Sequence, residues 1–173
     1  MTNAATPAWN LGFLTVVQEP TGFLGGYLVT NPWGRPLEFR LSTAVQPNRV
    51  QQILYGDTLQ PYICADLIGK TLIDKTAAQA QIIVTDREPV LELRKQLSIP
   101  VALLRSAPEP LEFESGRETP AGNLEFHPAF PQDGPVLCEL RERLGEGFDL
   151  AEPFARIRDA IAEARRMGVT SRG

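Results

Sequence analysis

The stretch from Leu11 to Thr43 constrains this chain most. Three short runs rich in β-branched and aromatic residues, Gly12 to Val17, Gly25 to Thr30 and Pro36 to Leu41, follow one another and are bounded by Gly, Pro and Asn. Strands joined this closely pair antiparallel, so the pattern predicts a three-stranded meander. The segment Gly22 to Gly26 is glycine-rich but has a strand on either side. It therefore reads as a hairpin turn, because a phosphate-binding loop must aim a helix N-terminus at the anion.

Downstream the period changes. Gln46 to Gly56 reads as a short helix with Pro47 in its first turn, Val50, Ile53 and Leu54 on one face, and Gly56 as its cap, and that face is expected to lie on the sheet. A longer helix is expected from about Leu59 to Thr76, where Leu59, Ile63, Leu67, Leu72 and Ile73 recur near helical spacing. Ala80 to Thr85 is a continuous apolar run, as in a strand covered on both faces, and it ends at Asp86. A helix over Glu88 to Gln96 and a strand over Ile99 to Leu104 complete a crossover with parallel pairing. The fold class is therefore α/β: an antiparallel meander continuing into a mixed sheet with parallel strands and flanking helices, plus C-terminal helices.

From Ser106 to Pro135 proline and glutamate replace the apolar periodicity, which reads as a linker or surface loop, with Leu111 to Phe113 and Leu124 to Phe126 as a possible small hairpin. Helices follow from about Pro135 to Leu144 and Glu152 to Met167, separated by Gly145 and Gly147. The second is amphipathic, with Phe154, Ile157, Ile161 and Ala164 on one face, and Asp149 and Glu152 stand at capping-box spacing before it. The expected organisation is a tail over 1–10, an α/β core over 11–105, a proline-rich linker over 106–135 and a helical extension over 136–173. A chain of 173 residues suits one main core.

Charge and composition exclude several classes. A net charge of −4 does not supply the clustered Lys and Arg that phosphate neutralisation needs, so nucleic acid is not an expected partner. No run approaches the roughly 18 apolar residues of a membrane span, and Met1 to Asn10 does not resemble a signal peptide, so the cytoplasm is the expected compartment. Cys64 and Cys138 read as small buried hydrophobes of a reducing compartment. His127 is the single histidine, and Ser42, Ser98 and His127 lack the elbow that exposes a hydrolase nucleophile. Ile68-Gly-Lys-Thr71 lacks the earlier glycine of a phosphate-binding loop and falls inside a predicted helix.

The element order over about 11–105 resembles the ribonuclease H-like fold. Val17-Gln-Glu-Pro-Thr-Gly-Phe-Leu-Gly-Gly26 is similar to its first hairpin, and Ile82-Ile-Val-Thr-Asp86 resembles its fourth strand, which ends in a carboxylate. The resemblance implies a site where several carboxylates converge on divalent cations, since Mg²⁺ demands hard oxygen ligands and substrate phosphate completes its shell. The first strand departs from that pattern: the family's acidic position falls at Gln18, leaving Glu19 as a displaced substitute. The first helix carries no acid, and Asp57, Asp66 and Asp74 lie in the next turn and helix. Under an enzymatic reading Glu19 and Asp86 are the catalytic candidates, Glu19, Asp86, Asp57 and Asp66 the metal candidates with Asp159 as a further acid, and Mg or Mn the cofactor. Otherwise Asp86 caps the helix that starts near Arg87.

With no complete set of acids, bases or ligands, the sequence favours a non-catalytic interaction or scaffold module with a degenerate ribonuclease H-like core and no cofactor. Its partner is another protein or a second copy, bound through the C-terminal helices or a sheet edge, with Trp33, Phe154, Ile157 and Ile161 as contact residues. The alternatives are a divalent-metal-dependent nuclease or phosphoryl-transfer enzyme, and a small-molecule or nucleotide-binding regulatory domain with its pocket near Asp86 and Arg105. Trp33, Tyr55 and Tyr62 are a further candidate grouping, an aromatic edge on the sheet.

Overall fold

The computed structural model describes residues 9–105, 123–144 and 148–168. Strands β1 (Leu11–Glu19), β2 (Gly22–Thr30) and β3 (Pro36–Leu41) form the predicted meander; β4 (Ile82–Thr85) lies parallel to β1, and β5 (Val101–Leu104) parallel to β4. A short β6 (Leu124–Phe126) pairs antiparallel with β5, so the mixed sheet runs β3-β2-β1-β4-β5-β6. β6 falls inside the expected linker, and its partner is β5; Leu111 to Phe113, the expected hairpin mate, lies outside the described residues.

Side chains alternate across the strands and build one core on each face. On one face Leu14, Val16, Tyr27 and Ile83 meet Ile63, Cys64, Ile68 and Leu72 of a helical run over 59–75, together with Val90 and Leu93. That run is α2 (Leu59–Pro61), a π-helical stretch Tyr62–Gly69 and α3 (Lys70–Lys75); Glu88–Gln96 is a 3₁₀ helix with Pro89 in its first turn. On the other face Leu11, Phe13, Leu24, Leu28, Ile82 and Val84 meet Leu137 and Leu140 of α4 (Asp133–Leu144) and Phe154, Ile157 and Ile161 of α5 (Glu152–Arg166). The C-terminal helices are thus the second layer of the same sheet. Arg94 ties the two sides together: its Nε donates to Asp133 Oδ2 at 2.8 Å, its Nη1 to Leu97 O at 2.8 Å, and its guanidinium lies 4.0 Å from the Phe130 ring centre.

Three sequence expectations change. The hairpin turn is only Pro20 and Thr21, and Gly25 and Gly26 stand inside β2, where helices press on both faces. A Cβ on Gly25 would collide with Ile68, and one on Gly26 with Ile157, so glycine lets both helices approach the strand. Helix α1 (Arg49–Tyr55) has its Asn48/Gln51 capping box but buries no residue, because the 59–75 run already covers that sheet face. Val50, Ile53 and Leu54 are 63%, 64% and 77% exposed. The expected box before α5 does not form either: Asp149 Oδ1 accepts from Ala151 N at 2.9 Å, and Glu152 pairs with Arg156 instead.

Candidate functional site

Helix α5 lies along β1, and three contacts mark its course. Phe13 meets Phe154 edge-on with ring centres 5.6 Å apart; two residues further along the strand is Thr15, beside Asp86 and Arg158; four further is Glu19, paired with Arg165. The strand period places Phe13, Thr15, Val17 and Glu19 on the α5 face, and Ile82, Val84 and Asp86 on that face of β4. The residues paired with strand acids, Arg158 and Arg165, are two turns apart and share one side of α5.

The parallel register sets Leu14 opposite Thr85, which brings Thr15 level with Asp86. Thr15 Oγ1 donates to Asp86 Oδ1 at 2.6 Å, and Arg158 Nη2 donates to Asp86 Oδ2. Thr15 is fully buried, while Arg158 reaches the carboxylate from the solvent side. Asp86 therefore does not cap the following helix; the Arg87 amide donates to Thr85 Oγ1 at 3.1 Å instead.

The remaining candidates do not gather around Asp86. Glu19 is four residues past Thr15, roughly 13 Å along an extended strand, and its carboxylate accepts from Arg165 Nη1 at 2.6 Å. Asp66 accepts from Gln96 Nε2. Asp57 lines a cleft with Gly56, Gln60, Pro61, Glu88, Pro89 and Glu92, and Asp74 pairs with Lys70. Asp159 is exposed on α5. Among the described residues no three His, Cys, Asp or Glu side chains are placed to hold a metal ion. The donor set does not fit the two-cation centre that the resemblance implies: the place beside Asp86 is taken by a neutral hydroxyl, and a guanidinium already neutralises the carboxylate. Thr15, Arg158 and Arg165 escaped sequence reasoning, since a threonine in a strand and arginines on an amphipathic helix are ordinary surface and strand residues until the register is known.

His127 is structural. Its Nδ1 accepts from Ala129 N at 3.0 Å, which leaves Nε2 to donate to Glu92 Oε1 at 3.1 Å, and its ring meets Phe130 edge-on. Lys95 and then His127 hold the Glu92 carboxyl below its usual range. Ser42 Oγ accepts from Gly25 N at 2.8 Å and fastens β3 to β2.

At the carboxyl ends of β4 and β5 a cleft of about 450 Å³ is lined by Asp86, Arg87, Glu88, Pro89, Leu103, Leu104 and Arg105. Its charges are largely matched. Arg105 lies 3.0 Å from Glu125 and 3.7 Å from Glu88, whereas Arg87 Nε is buried with no hydrogen-bond partner among the described residues.

Of the expected contact residues, Phe154, Ile157 and Ile161 are covered by the chain's own sheet and offer no surface to a partner. Trp33 is 86% exposed, at the tip of the β2–β3 turn. Asn31 Oδ1 accepts there from Trp33 N and Arg35 N, both at 3.0 Å, Gly34 adopts φ +84°, and Arg156 Nη1 donates to Gly34 O at 2.9 Å. Tyr55 and Tyr62 stack on each other at 4.6 Å, apart from Trp33. No described helix is long and apolar enough to cross a membrane. The chain matches no protein-family model and no curated protein sequence.

Proposed function

We propose that this chain is a non-catalytic interaction module built on a degenerate ribonuclease H-like core. The strand order β3-β2-β1-β4-β5, with β2 alone running opposite to the other four, supports the resemblance. The observation that carries the reading is the Thr15–Asp86–Arg158 set: where a metal enzyme of this kind gathers carboxylates around cations, a hydroxyl and a guanidinium satisfy the one acid present. The surface left for binding is the apolar stripe of α1, the Trp33 turn and the outer edge of β3, all exposed. A thermal-shift titration with Mg²⁺ and Mn²⁺ tests it, since a cation bound only by the folded state raises its melting temperature. No rise is expected in the wild type or in Asp86→Asn; a Mn²⁺-dependent rise that disappears in Asp86→Asn would overturn the reading in favour of a metal-dependent nuclease or phosphoryl-transfer enzyme.

The cleft beside Asp86 and Arg105 favours one second reading, a small-molecule or nucleotide-binding regulatory domain, because open α/β sheets bind ligands beyond the carboxyl ends of their strands. Stabilisation by a nucleotide that is lost in Arg105→Ala supports that reading; its absence across nucleoside mono-, di- and triphosphates argues against it.

A further inference from the structure

Strand β3 ends the sheet, and its free side carries an unusual symmetry. Ser42 N donates to Gly25 O at 2.9 Å, so by antiparallel alternation Arg40 and Glu38 bond toward β2 while the N–H and C=O groups of Phe39 and Leu41 point away from the sheet. Among the described residues nothing bonds to those outward groups. Leu37 and Phe39 are 47% and 37% exposed. The opposite edge is different: β6 has only three residues and packs against α4.

Proteins normally blunt an open edge with charged side chains, with proline or with a bulge. Here Pro36 and a register shift near Val29 and Thr30 confine the open stretch to Leu37-Glu-Phe-Arg-Leu41, but within it the charges are of opposite sign and equidistant from Phe39. Antiparallel pairing of this stretch with itself sets Phe39 opposite Phe39, Leu37 opposite Leu41 and Glu38 opposite Arg40. Apolar side chains then meet on the α5 face and opposite charges on the other. Glu38 is held in place by its own chain, its Oε1 accepting from Ala77 N and Ala78 N at 3.0 Å, and its side chain stays 20% exposed. Arg40 uses only Nε toward Glu38 of its own chain, at 2.9 Å, and its side chain is 44% exposed.

We propose that the outer edge of β3 binds a second copy of this chain, antiparallel about a two-fold axis at Phe39, joining two six-stranded sheets into one. The pairing uses outward N–H and C=O groups that the single chain leaves to water, and like charges nowhere face each other. It deepens the interaction role proposed above by naming the partner, and rests on that role for its biological meaning.

Light scattering on size-exclusion fractions of the full chain, across a concentration series, tests it. The wild type is expected at about twice the 19.1 kDa chain mass. Phe39→Pro removes the N–H at the axis without costing a bond to β2, and is expected to give a monomer that still unfolds cooperatively. Arg40→Glu places a carboxylate opposite the second copy's Glu38 and is expected to weaken the dimer about tenfold or more while leaving the backbone intact. A wild type that is monomeric at every concentration overturns the proposal, as does a dimer that both variants leave unchanged. The two readings fail separately, because a monomer leaves the Mn²⁺ result where it was, and a Mn²⁺ site leaves the dimer where it was.

Discussion

At the scale of single residues, the chemistry turns on what stands beside Asp86. Thr15→Val keeps the shape but takes away the hydroxyl, pressing a methyl against a mostly buried carboxylate. A hydrogen bond to a charged group of this kind is worth about 2 kcal/mol, and that loss is expected in urea unfolding. Asp86 was legible in the sequence, because a carboxylate that directly follows an apolar strand stands out. Thr15 was not, since its meaning depends on which residue of β4 it faces. The cysteines give a second residue-scale prediction. Burial pushes the Cys64 thiol from its ordinary value near 9 up to about 11, with Arg87 pulling weakly the other way. In the native protein at pH 8 only Cys138, which is partly exposed, is expected to react with a disulfide reagent, and Cys64 only after denaturation. The unfolded chain ionises this thiol first as pH rises, so its contribution to stability is full below about 9 and is lost on the way to about 11.

At the scale of elements, β2 is the strand that both helical layers lean on. Gly26→Ala drives a methyl into Ile157 and must push α5 outward or force Ile157 off its rotamer, and a loss of about 1–3 kcal/mol is expected. Circular dichroism melts of Gly26→Ala against the wild type measure it; an unchanged melting temperature would mean that α5 does not press on β2. Glycine between strands signals a bend, so the sequence alone makes these residues a turn, and only the packing of helices on both sides shows the other use. In α1, Val50, Ile53 and Leu54 likewise mark which side of the helix is apolar, but periodicity carries no information on whether anything covers it. By contrast the meander, β4 and the Glu88–Gln96 helix were legible, since strand runs and bounding Gly, Pro and Asp act locally.

At the scale of the whole molecule, the sheet needs covering on two sides, and the second cover comes from the far end of the chain. A fragment ending at Arg105 leaves Leu11, Phe13, Leu24, Leu28, Ile82 and Val84 without α4 and α5, and is expected to aggregate or to unfold without a cooperative transition. A sharp melting transition for that fragment would show that the second layer is dispensable. The sequence placed a boundary at residue 105 because the composition changes there. Composition describes the connection, whereas the independence of a unit is decided by buried area, and here Arg94 and Asp133 share a buried ion pair across that boundary.

The course of α5 along β1 has a consequence for how the protein is made. Strand β1 is covered on one face by a helix that lies far downstream in the sequence, so Phe13 and Leu11 stay open until Phe154 and Ile161 have been translated. That face of the sheet therefore closes only after α5 has been made, and the interval in which it lies bare is set by the speed of elongation.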